Sequence, residues 1–485
     1  MKAKKMLIFG VVLSTFSVYA KLNYPIVDTA QIRCYDNQKE IKYPKKNSSF
    51  YGQDAQYKGN QPKYRNNNDG TITDLVTGLM WQRDPGSKKS YYDAVKGATK
   101  CRTGGYSDWR MPTIKELYSL ICFNGKDVDP NSSPSNKNKP FINTKYFKFS
   151  YGSGNERIID SQYATSTIYK GKTMGGNETM FGVNLADGRI KGYPTQSRRN
   201  KKYYVMYVRG NKNYGKNNFV FNKNGIVSDK ATGLMWAQQD SQKALNWKDA
   251  LNYAENSNYA GYSDWRLPNA KELQSIVDYN RSLQSTNSPA INPVFKCTVI
   301  KDEGGKKNYG FYWSSTTHVN SRGASNGVSI CFGEALGFME DRRSGKGKTL
   351  MDVHGAGAQR SDPKSGNASN YPYGHGPQGD VIRIKNYVRL VRGGNSTINT
   401  QGPALEKVQN GSSNRSHQQN KNGADSHFNR LDKNNDGKIS RSEFDGPAEH
   451  FDHMDKNKDG SLSSDELKPP SSNSSRRPRS RRGIK

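Results

Sequence analysis

Two twelve-residue stretches near the end of the chain carry oxygen-bearing side chains at a spacing that suits a hard cation. They are DKNNDGKISRSE at 432–443 and DKNKDGSLSSDE at 455–466. A calcium ion takes six to eight oxygen ligands, and positions 1, 3, 5, 7, 9 and 12 of such a loop surround one point when a glycine at position 6 allows a sharp turn. The predicted ligands are Asp432, Asn434, Asp436, Lys438 (backbone carbonyl), Ser440 and Glu443 in the first loop, and Asp455, Asn457, Asp459, Ser461, Ser463 and Glu466 in the second.

Both stretches resemble the calcium loops of EF-hand proteins, and their tandem arrangement predicts two bound Ca²⁺ ions. Ile439 and Leu462 occupy position 8, where the paired loops are expected to meet. The segments at 427–431 and 449–454 are expected to form the entering helices, with Phe428 and Phe451 as core anchors and Phe444 packed with them. We predict a small all-α EF-hand pair over 425–468 whose limited core depends on its ions for folding.

A second set of repeated residues occupies the middle of the chain. The octet GYSDWRMP at 105–112 returns as GYSDWRLP at 261–268. Flanking matches are GLMW at 78–81 and 233–236, KEL at 115–117 and 271–273, and VRG at 208–210 and 391–393. The offset between matched residues grows from 155 to 183, which indicates an insertion in the second half of the second copy. We predict a duplicated domain, with copy 1 at 66–210, copy 2 at 218–393 and the insertion in the Gly-rich stretch 345–380.

Each octet combines a large aromatic residue with two charged arms. Trp109 is expected to be a buried apolar plug with one N–H donor. Asp108 and Arg110 are expected to lock the loops around it, and the counterparts in copy 2 to do the same. The functional alternative is that the tryptophan stacks on a sugar while the arginine binds an anion. We favour the structural interpretation, in which the doubled octet marks a doubled fold.

Local patterns predict the elements that position these residues. The segment 69–82 has the alternation and turn residues of a β-hairpin, and 247–257 has apolar residues at helical spacing. A capping box, Thr113-x-x-Glu116, opens a second helix in copy 1, and copy 2 has a variant of it. Short strands and Gly-rich loops follow. The predicted fold class is α+β, with two compact, loop-rich copies that each contain short helices and an antiparallel sheet. The core-facing residues of the second helices are expected to be Leu117, Leu120, Ile121, Leu273, Ile276 and Val277.

The repeated motifs resemble the domain family named for the C-terminal region of the Legionella collagen-like protein, Lcl. The resemblance covers most of 66–393 as two copies and implies a secreted or surface adhesin module that binds sulfated glycosaminoglycans. A fainter similarity links the same motif order to C-type-lectin-like and formylglycine-generating folds. The chain has no collagen Gly-X-Y tract, so the trimerising stalk of such adhesins is missing from it.

The start of the chain predicts export. Three lysines precede an apolar run that ends in Val18-Tyr19-Ala20, which is typical of a signal peptide over 1–20. We expect a periplasmic, cell-surface or extracellular protein with no transmembrane segment after cleavage. The remaining parts are predicted as an N-terminal extension at 21–65, a flexible linker at 394–424 and a disordered basic tail at 469–485.

Charge divides the chain and suggests its partners. The formal net charge is +32, yet residues 425–467 carry 11 acidic and 6 basic residues. A strongly positive field favours polyanions, so the expected partner is an acidic or sulfated polysaccharide or an anionic cell envelope. Export removes the usual nucleic-acid partner, and no nucleic-acid motif occurs. We therefore expect an adhesin-like binding protein, with a structural envelope protein held by charge as the alternative.

Motifs for catalysis are weak, so we expect a protein that is not an enzyme. One G-x-S-x-G surrounds Ser325 but precedes a strand and no helix, contrary to a nucleophile elbow. An enzyme on a formylglycine-generating-like scaffold stays as an alternative. His354 and His375 lie near three aspartates, where loop hydrogen bonds are favoured over a metal site.

The five cysteines contain no C-x-x-C pair. Because export places the chain in an oxidising compartment, we expect disulfides to persist. The predicted pairs are Cys101–Cys122 and Cys297–Cys331, each within one copy, with Cys34 left over.

Overall fold

The structure is a computed structural model, and it describes residues 22–197, 200–340, 347–394, 396–405, 431–432, 434, 436–444, 448–463 and 466. The predicted signal peptide, most of the predicted linker, Phe428 and the basic tail lie outside the described residues. The chain divides into two compact units, 1–406 and 407–485, and each is described by itself.

The first unit opens with a segment that connects the two copies. Its strands are β1 (Cys34–Tyr35), β2 (Glu40–Ile41) and β3 (Tyr57–Lys58). The Gln31 side-chain amide donates to the Phe123 carbonyl of copy 1 at 3.2 Å and to the Thr317 carbonyl of copy 2 at 2.8 Å. The extension predicted at 21–65 is therefore an integral part of the duplicated unit.

Copy 1 contains two antiparallel sheets and two helices. Its elements are β4 (Tyr64–Asn66), β5 (Thr71–Asp74), β6 (Leu79–Gln82), α1 (Tyr91–Lys100), α2 (Ile114–Ser119), β7 (Gln162–Ile168), β8 (Thr179–Asn184), β9 (Arg189–Pro194) and β10 (Val208–Gly210). The sheet orders are β10-β6-β5-β4 and β7-β8-β9. The predicted hairpin forms because Asp74 accepts the backbone N–H groups of Val76 and Thr77, and Gly78 takes a positive φ of 71°.

Copy 2 repeats this plan with additions. Its elements are β11 (Phe219–Asn222), β12 (Ile226–Asp229), β13 (Leu234–Ala237), α3 (Trp247–Glu255), α4 (Ala270–Ser275), α5 (Leu283–Thr286), β14 (Val299–Lys301), β15 (Lys307–Tyr309), β16 (Phe311–Asn320), β17 (Gly323–Cys331), β18 (Leu336–Glu340), β19 (Lys348–Asp352), β20 (Gln359–Pro363) and β21 (Val391–Gly393). The orders β11-β12-β13-β21 and β16-β17-β20 match those of copy 1, and β14-β15 and β18-β19 are separate hairpins.

The position of the insertion differs from the prediction. Strand β20 lies inside the stretch 345–380, yet it pairs with β17 as β9 pairs with β8. The extra residues therefore fall on both sides of β20, and the β18–β19 hairpin is the larger ordered piece. The sequences of β9 and β20, RIKGYP and QRSDP, share too little for the repeat to be aligned there.

The beginning of the predicted linker also differs from expectation. Strand β22 (Thr397–Ile398) pairs antiparallel with β3, so residues just beyond copy 2 return to the N-terminal segment. Asn399 continues this contact, because its backbone N–H donates to the Gln56 carbonyl at 2.7 Å.

The two copies meet through their second helices in a reciprocal contact. Lys115 Nζ donates to the Ser275 carbonyl at 2.7 Å, and Lys271 Nζ donates to the Ser119 carbonyl at 2.8 Å. Both lysines and both serines are equivalent residues of the repeat. The contact is therefore the same in both directions, as in a twofold-symmetric interface, and each lysine lies at the C-terminus of the opposite helix, where a positive charge is favourable.

One core cluster spans both copies, and four smaller clusters each lie within one copy. The shared cluster contains Trp81 and Trp236 together with the predicted core-facing residues of α2 and α4. Trp109 belongs to a cluster within copy 1, and Trp265 belongs to its counterpart in copy 2. The α+β prediction is confirmed, since small antiparallel sheets dominate and the helices are few and short.

The second unit has few described elements. Strand β23 (Ile439–Ser440) pairs antiparallel with β24 (Ser461–Leu462), and helix α6 (Ala448–Met454) lies between them in the chain. Ile439 and Leu462 are direct partners, as position 8 of each loop predicted. The described part of the EF-hand pair thus contains a helix and a two-residue ladder that joins its loops.

Candidate functional site

The first loop folds around its terminal carboxylates. Gly437 takes a φ of +86°, which permits the turn at position 6. Asp432 accepts the backbone N–H of Gly437 at 2.9 Å and that of Asp436 at 3.2 Å. Glu443 accepts the backbone N–H of Asn434 at 3.1 Å and that of Ser440 at 2.9 Å. The carboxylates at positions 1 and 12 are therefore directed towards the loop backbone.

The second loop repeats this geometry. Gly460 has a φ of +79°, and its backbone N–H donates to Asp455 at 3.0 Å. Glu466 accepts the backbone N–H of Lys456 at 3.0 Å and that of Ser463 at 2.9 Å. These backbone N–H and hydroxyl donors hold the pKa of Glu466 below its ordinary value, so the carboxylate stays ionised.

A small apolar core joins the loops. Leu431, Ile439, Phe451 and Leu462 are buried together, and the rings of Phe444 and Phe451 lie 5.5 Å apart. The predicted anchor Phe451 and the predicted packing of Phe444 are confirmed. With so few apolar residues, this core adds little stability to the loops.

The predicted ligands fit calcium by chemistry and by loop conformation. Among the described residues, no three acidic, histidine or cysteine side chains are already gathered as a metal cluster. Each loop nevertheless offers carboxylate, amide, hydroxyl and backbone carbonyl oxygens, which are the hard ligands that Ca²⁺ prefers. The positive-φ glycines and the folded-back glutamates place these oxygens on one concave loop.

The octet tryptophans are plugs, as predicted. Trp109 donates its indole N–H to the Thr103 carbonyl at 3.1 Å, and Trp265 donates to the Tyr259 carbonyl at 2.9 Å. Both indoles are buried, so neither presents a free face for sugar stacking.

The octet arginines bind glutamates of the capping boxes. Arg110 makes two bonds to Glu116, at 2.5 and 2.7 Å, and Arg266 makes two to Glu272, at 2.6 and 2.7 Å. Each glutamate also accepts the backbone N–H at the N-cap of its helix. Burial alone would lower the pKa of Arg266, but Glu272 raises it above the ordinary range. These guanidinium groups hold the helix start and are not available as anion sites.

The octet aspartates form a third repeated contact. Asp108 binds Arg209 at 2.6 Å, and Asp264 binds Arg392 at 2.6 Å. The two arginines come from the VRG strands, so each octet is tied to the last strand of its copy. The prediction that the charged arms lock the loops is confirmed.

The predicted disulfides are wrong. All five cysteines are free, and Cys34, Cys122 and Cys331 are buried. Cys101 belongs to the edge of the copy 1 cluster, whereas Cys122 lies beside the shared core. Burial raises the pKa of the Cys331 thiol well above its usual value, which opposes a reactive thiolate.

The residues considered for catalysis or metal binding, Ser325 and His354, take part in structural contacts. Ser325 lies within β17, and its hydroxyl donates to Asn326 at 3.0 Å. His354 is buried and lies 3.1 Å from Asp380, which also binds Arg360 at 2.8 Å. These contacts agree with the expected loop hydrogen bonds. The sequence did not single out Lys115, Lys271 or Arg189, because each of them makes a contact with the other copy that spacing does not reveal.

The fold and the loops together define a calcium-binding protein built on a duplicated α+β domain. A family model described as the Lcl C-terminal domain matches residues 70–209 and 225–348, just over half of the chain. A model described as EF hand matches 425–445 and 448–468. The chain therefore belongs to the Lcl C-terminal domain family and carries two EF-hand motifs, which imply calcium binding. Comparisons with curated proteins and with solved structures give no match.

The family match and the structure differ at the end of copy 2. The match stops at 348, whereas β20 and β21 continue the copy to Gly393. The added β18–β19 hairpin lies where the match ends. The family indicates an exported or surface protein. In the described part of the chain, no helix has both the length and the apolar character that a membrane crossing needs.

Proposed function

We propose that the chain is an exported, non-enzymatic binding protein whose duplicated unit binds acidic polysaccharide and whose EF-hand pair binds two Ca²⁺ ions. The polysaccharide part of the proposal rests on one observation. In each copy, the loop between the second helix and the three-stranded sheet exposes several lysines. They are Lys126, Lys137, Lys139 and Lys145 in copy 1, and Lys296, Lys301, Lys306 and Lys307 in copy 2.

These lysines are brought together by the backbone. In copy 1, the Lys126 N–H donates to the Lys139 carbonyl at 2.8 Å. In copy 2, Lys301 and Lys307 are direct partners across the β14–β15 ladder. Like charges that face each other on a ladder are unfavourable without a counterion, so an anionic ligand would relieve this repulsion. Two such loops on one unit would bind a long polyanion at two points, which strengthens binding by effective concentration.

Glycan binding across a salt series tests the polysaccharide part. Full-length protein is titrated with heparin, chondroitin sulfate and hyaluronan in calcium and in chelator. We expect the protein to bind some of these polymers selectively. The affinity should weaken with salt, but it should differ between polymers of similar charge. Uniform binding that disappears evenly with salt would instead support an envelope protein held by charge.

Calorimetric titration with Ca²⁺ tests the number of ions. We expect two ions per chain, and one for Glu443→Gln or Glu466→Gln, because each change removes the carboxylate that closes a loop. Asp452→Asn is the matched control and should keep two, because Asp452 on α6 pairs with Arg441 and supplies no ligand position. An unchanged stoichiometry in both glutamate variants would contradict the assigned ligands.

A further inference from the structure

A cleft of about 500 Å³ opens where the edge strands β9 and β20 of the two copies meet. Asn320, Arg322, Asn326 and Tyr371 also line the cleft. Its size lies within the range of pockets that bury small ligands. The walls come from both copies, so the cleft exists only because the domain is duplicated.

The floor of the cleft is a chain of paired charges that crosses between the copies. Arg189 of copy 1 binds Asp127 at 2.8 Å and donates to the Ser361 hydroxyl of copy 2 at 2.6 Å. Arg360 binds Asp380 at 2.8 Å. Arg360 is only 6% exposed, so its guanidinium is held in a fixed position beside the cleft.

The carboxylate of Asp380 stays ionised. Burial alone would raise the pKa of Asp380, but Arg360 and His354 hold it well below its ordinary range. Lys191 binds Asp187 at 2.7 Å in the same region. Donors with fixed positive charge therefore alternate with fixed acceptors along the floor.

The charge of the cleft differs from that of the rest of the unit. Four basic residues and four acidic residues line it: Arg189, Lys191, Arg322, Arg360, Asp127, Asp129, Asp187 and Asp380. The carboxylates would repel a polyanion, and the guanidinium groups would repel a cation. A ligand with many hydroxyl groups can accept from the arginines and donate to the aspartates at once, at no charge penalty.

We propose that this inter-copy cleft binds an uncharged, polyhydroxylated ligand, namely a short neutral oligosaccharide. Tyr371 supplies the aromatic contact, and Arg322 and Asn326 supply polar contacts at the rim. The cleft borders the copy 1 lysine loop through Asp127 and Asp129, but its neutral ligand does not require a polyanion on the lysines.

Saturation-transfer NMR and calorimetry on the calcium-loaded full-length protein test this proposal. The probes are cellotriose, maltotriose, chitotriose and mannotriose. We expect at least one to bind, and its affinity to fall by about fivefold or more in Tyr371→Ala, through loss of the aromatic contact. Tyr373→Ala is the matched control, because Tyr373 is 57% exposed, packs on Phe338 and is not part of the cleft wall. It should change affinity by less than about twofold.

Salt separates this site from the polyanion site. Binding of a neutral trisaccharide should persist at an ionic strength of about 1 M, where the Debye length is about 3 Å and charge-driven binding is lost. The proposal is overturned if none of the four trisaccharides binds, or if Tyr371→Ala binds as well as Tyr373→Ala. Failure of heparin binding with intact trisaccharide binding would remove the proposed polyanion function alone.

Discussion

Copy 1 and copy 2 share their internal contacts, but they differ in how far other segments of the chain bury these contacts. Both have the tryptophan plug, the arginine–glutamate clamp and the aspartate–arginine tie. In copy 1 the side chain of Arg110 is 29% exposed, whereas in copy 2 that of Arg266 is 4% exposed. Arg266 is covered by the N-terminal segment and by residues beyond copy 2: its guanidinium carbon lies 5.4 Å from the centre of the Tyr57 ring, and it donates to the Ser396 hydroxyl at 3.4 Å.

This comparison separates structural residues from binding residues. The residues of the octets pair inside each copy, and the repeated lysines and serines of the second helices pair between the copies, so repetition marks what the fold requires. The lysine loops, the β18–β19 hairpin and the inter-copy cleft consist of residues that do not repeat. Binding is therefore expected to depend on the parts in which the copies differ.

The largest predicted difference between the copies concerns the octet arginines. Arg266→Ala leaves the buried Glu272 without its charge partner and should lower the free energy of unfolding by about 3–5 kcal/mol. Arg110→Ala should cost about 1.5–3 kcal/mol, because water can reach the site of the partly exposed Arg110 and solvate Glu116. Urea unfolding of both variants measures the difference. Equal losses would show that burial of the arginine–glutamate pair does not change its contribution to stability.

A smaller effect is predicted for the reciprocal lysines. Burial lowers the pKa of Lys115 to about 8, from an ordinary value of 10.5. Between these values the unfolded chain holds a proton that the folded chain has lost, so stability should rise with pH across this window. Stability curves of the native protein and of Lys115→Met should diverge there, since the variant lacks the titrating group. Parallel curves would contradict a lysine whose pKa is lowered by burial.

The smallest effect is predicted for the aspartate–arginine ties. Asp108 and Asp264 are more than half exposed, and exposed ion pairs contribute little. Asp108→Asn and Asp264→Asn should each lower the free energy of unfolding by about 0.2–1 kcal/mol, and the two losses should be equal. A large or one-sided loss in thermal unfolding would mean that the copies differ at the octet itself.

The sequence predicted what is local and repeated. The capping glutamates, the octet plugs and both calcium loops depend on residues close together in the chain, and their places are as expected. Features that depend on long-range contacts were missed. Lys115 reaches Ser275 across 160 residues, and Arg189 reaches Ser361 across 172, so spacing carried no signal for either contact. The disulfides were predicted from the expected compartment and from the two cysteines in each copy, and they are wrong because all five cysteines are free in the fold.

The central claim is that residues outside the repeated motifs bind the polysaccharide, and a charge-matched pair of variants tests it most directly. Lys301→Gln/Lys306→Gln/Lys307→Gln changes the copy 2 loop, and Lys223→Gln/Lys230→Gln/Lys243→Gln removes the same charge from exposed sites elsewhere in copy 2. Heparin affinity at physiological salt should fall by about tenfold or more for the loop variant and by less than about threefold for the control. Equal losses in the two variants would contradict the claim and leave net charge as the cause of binding.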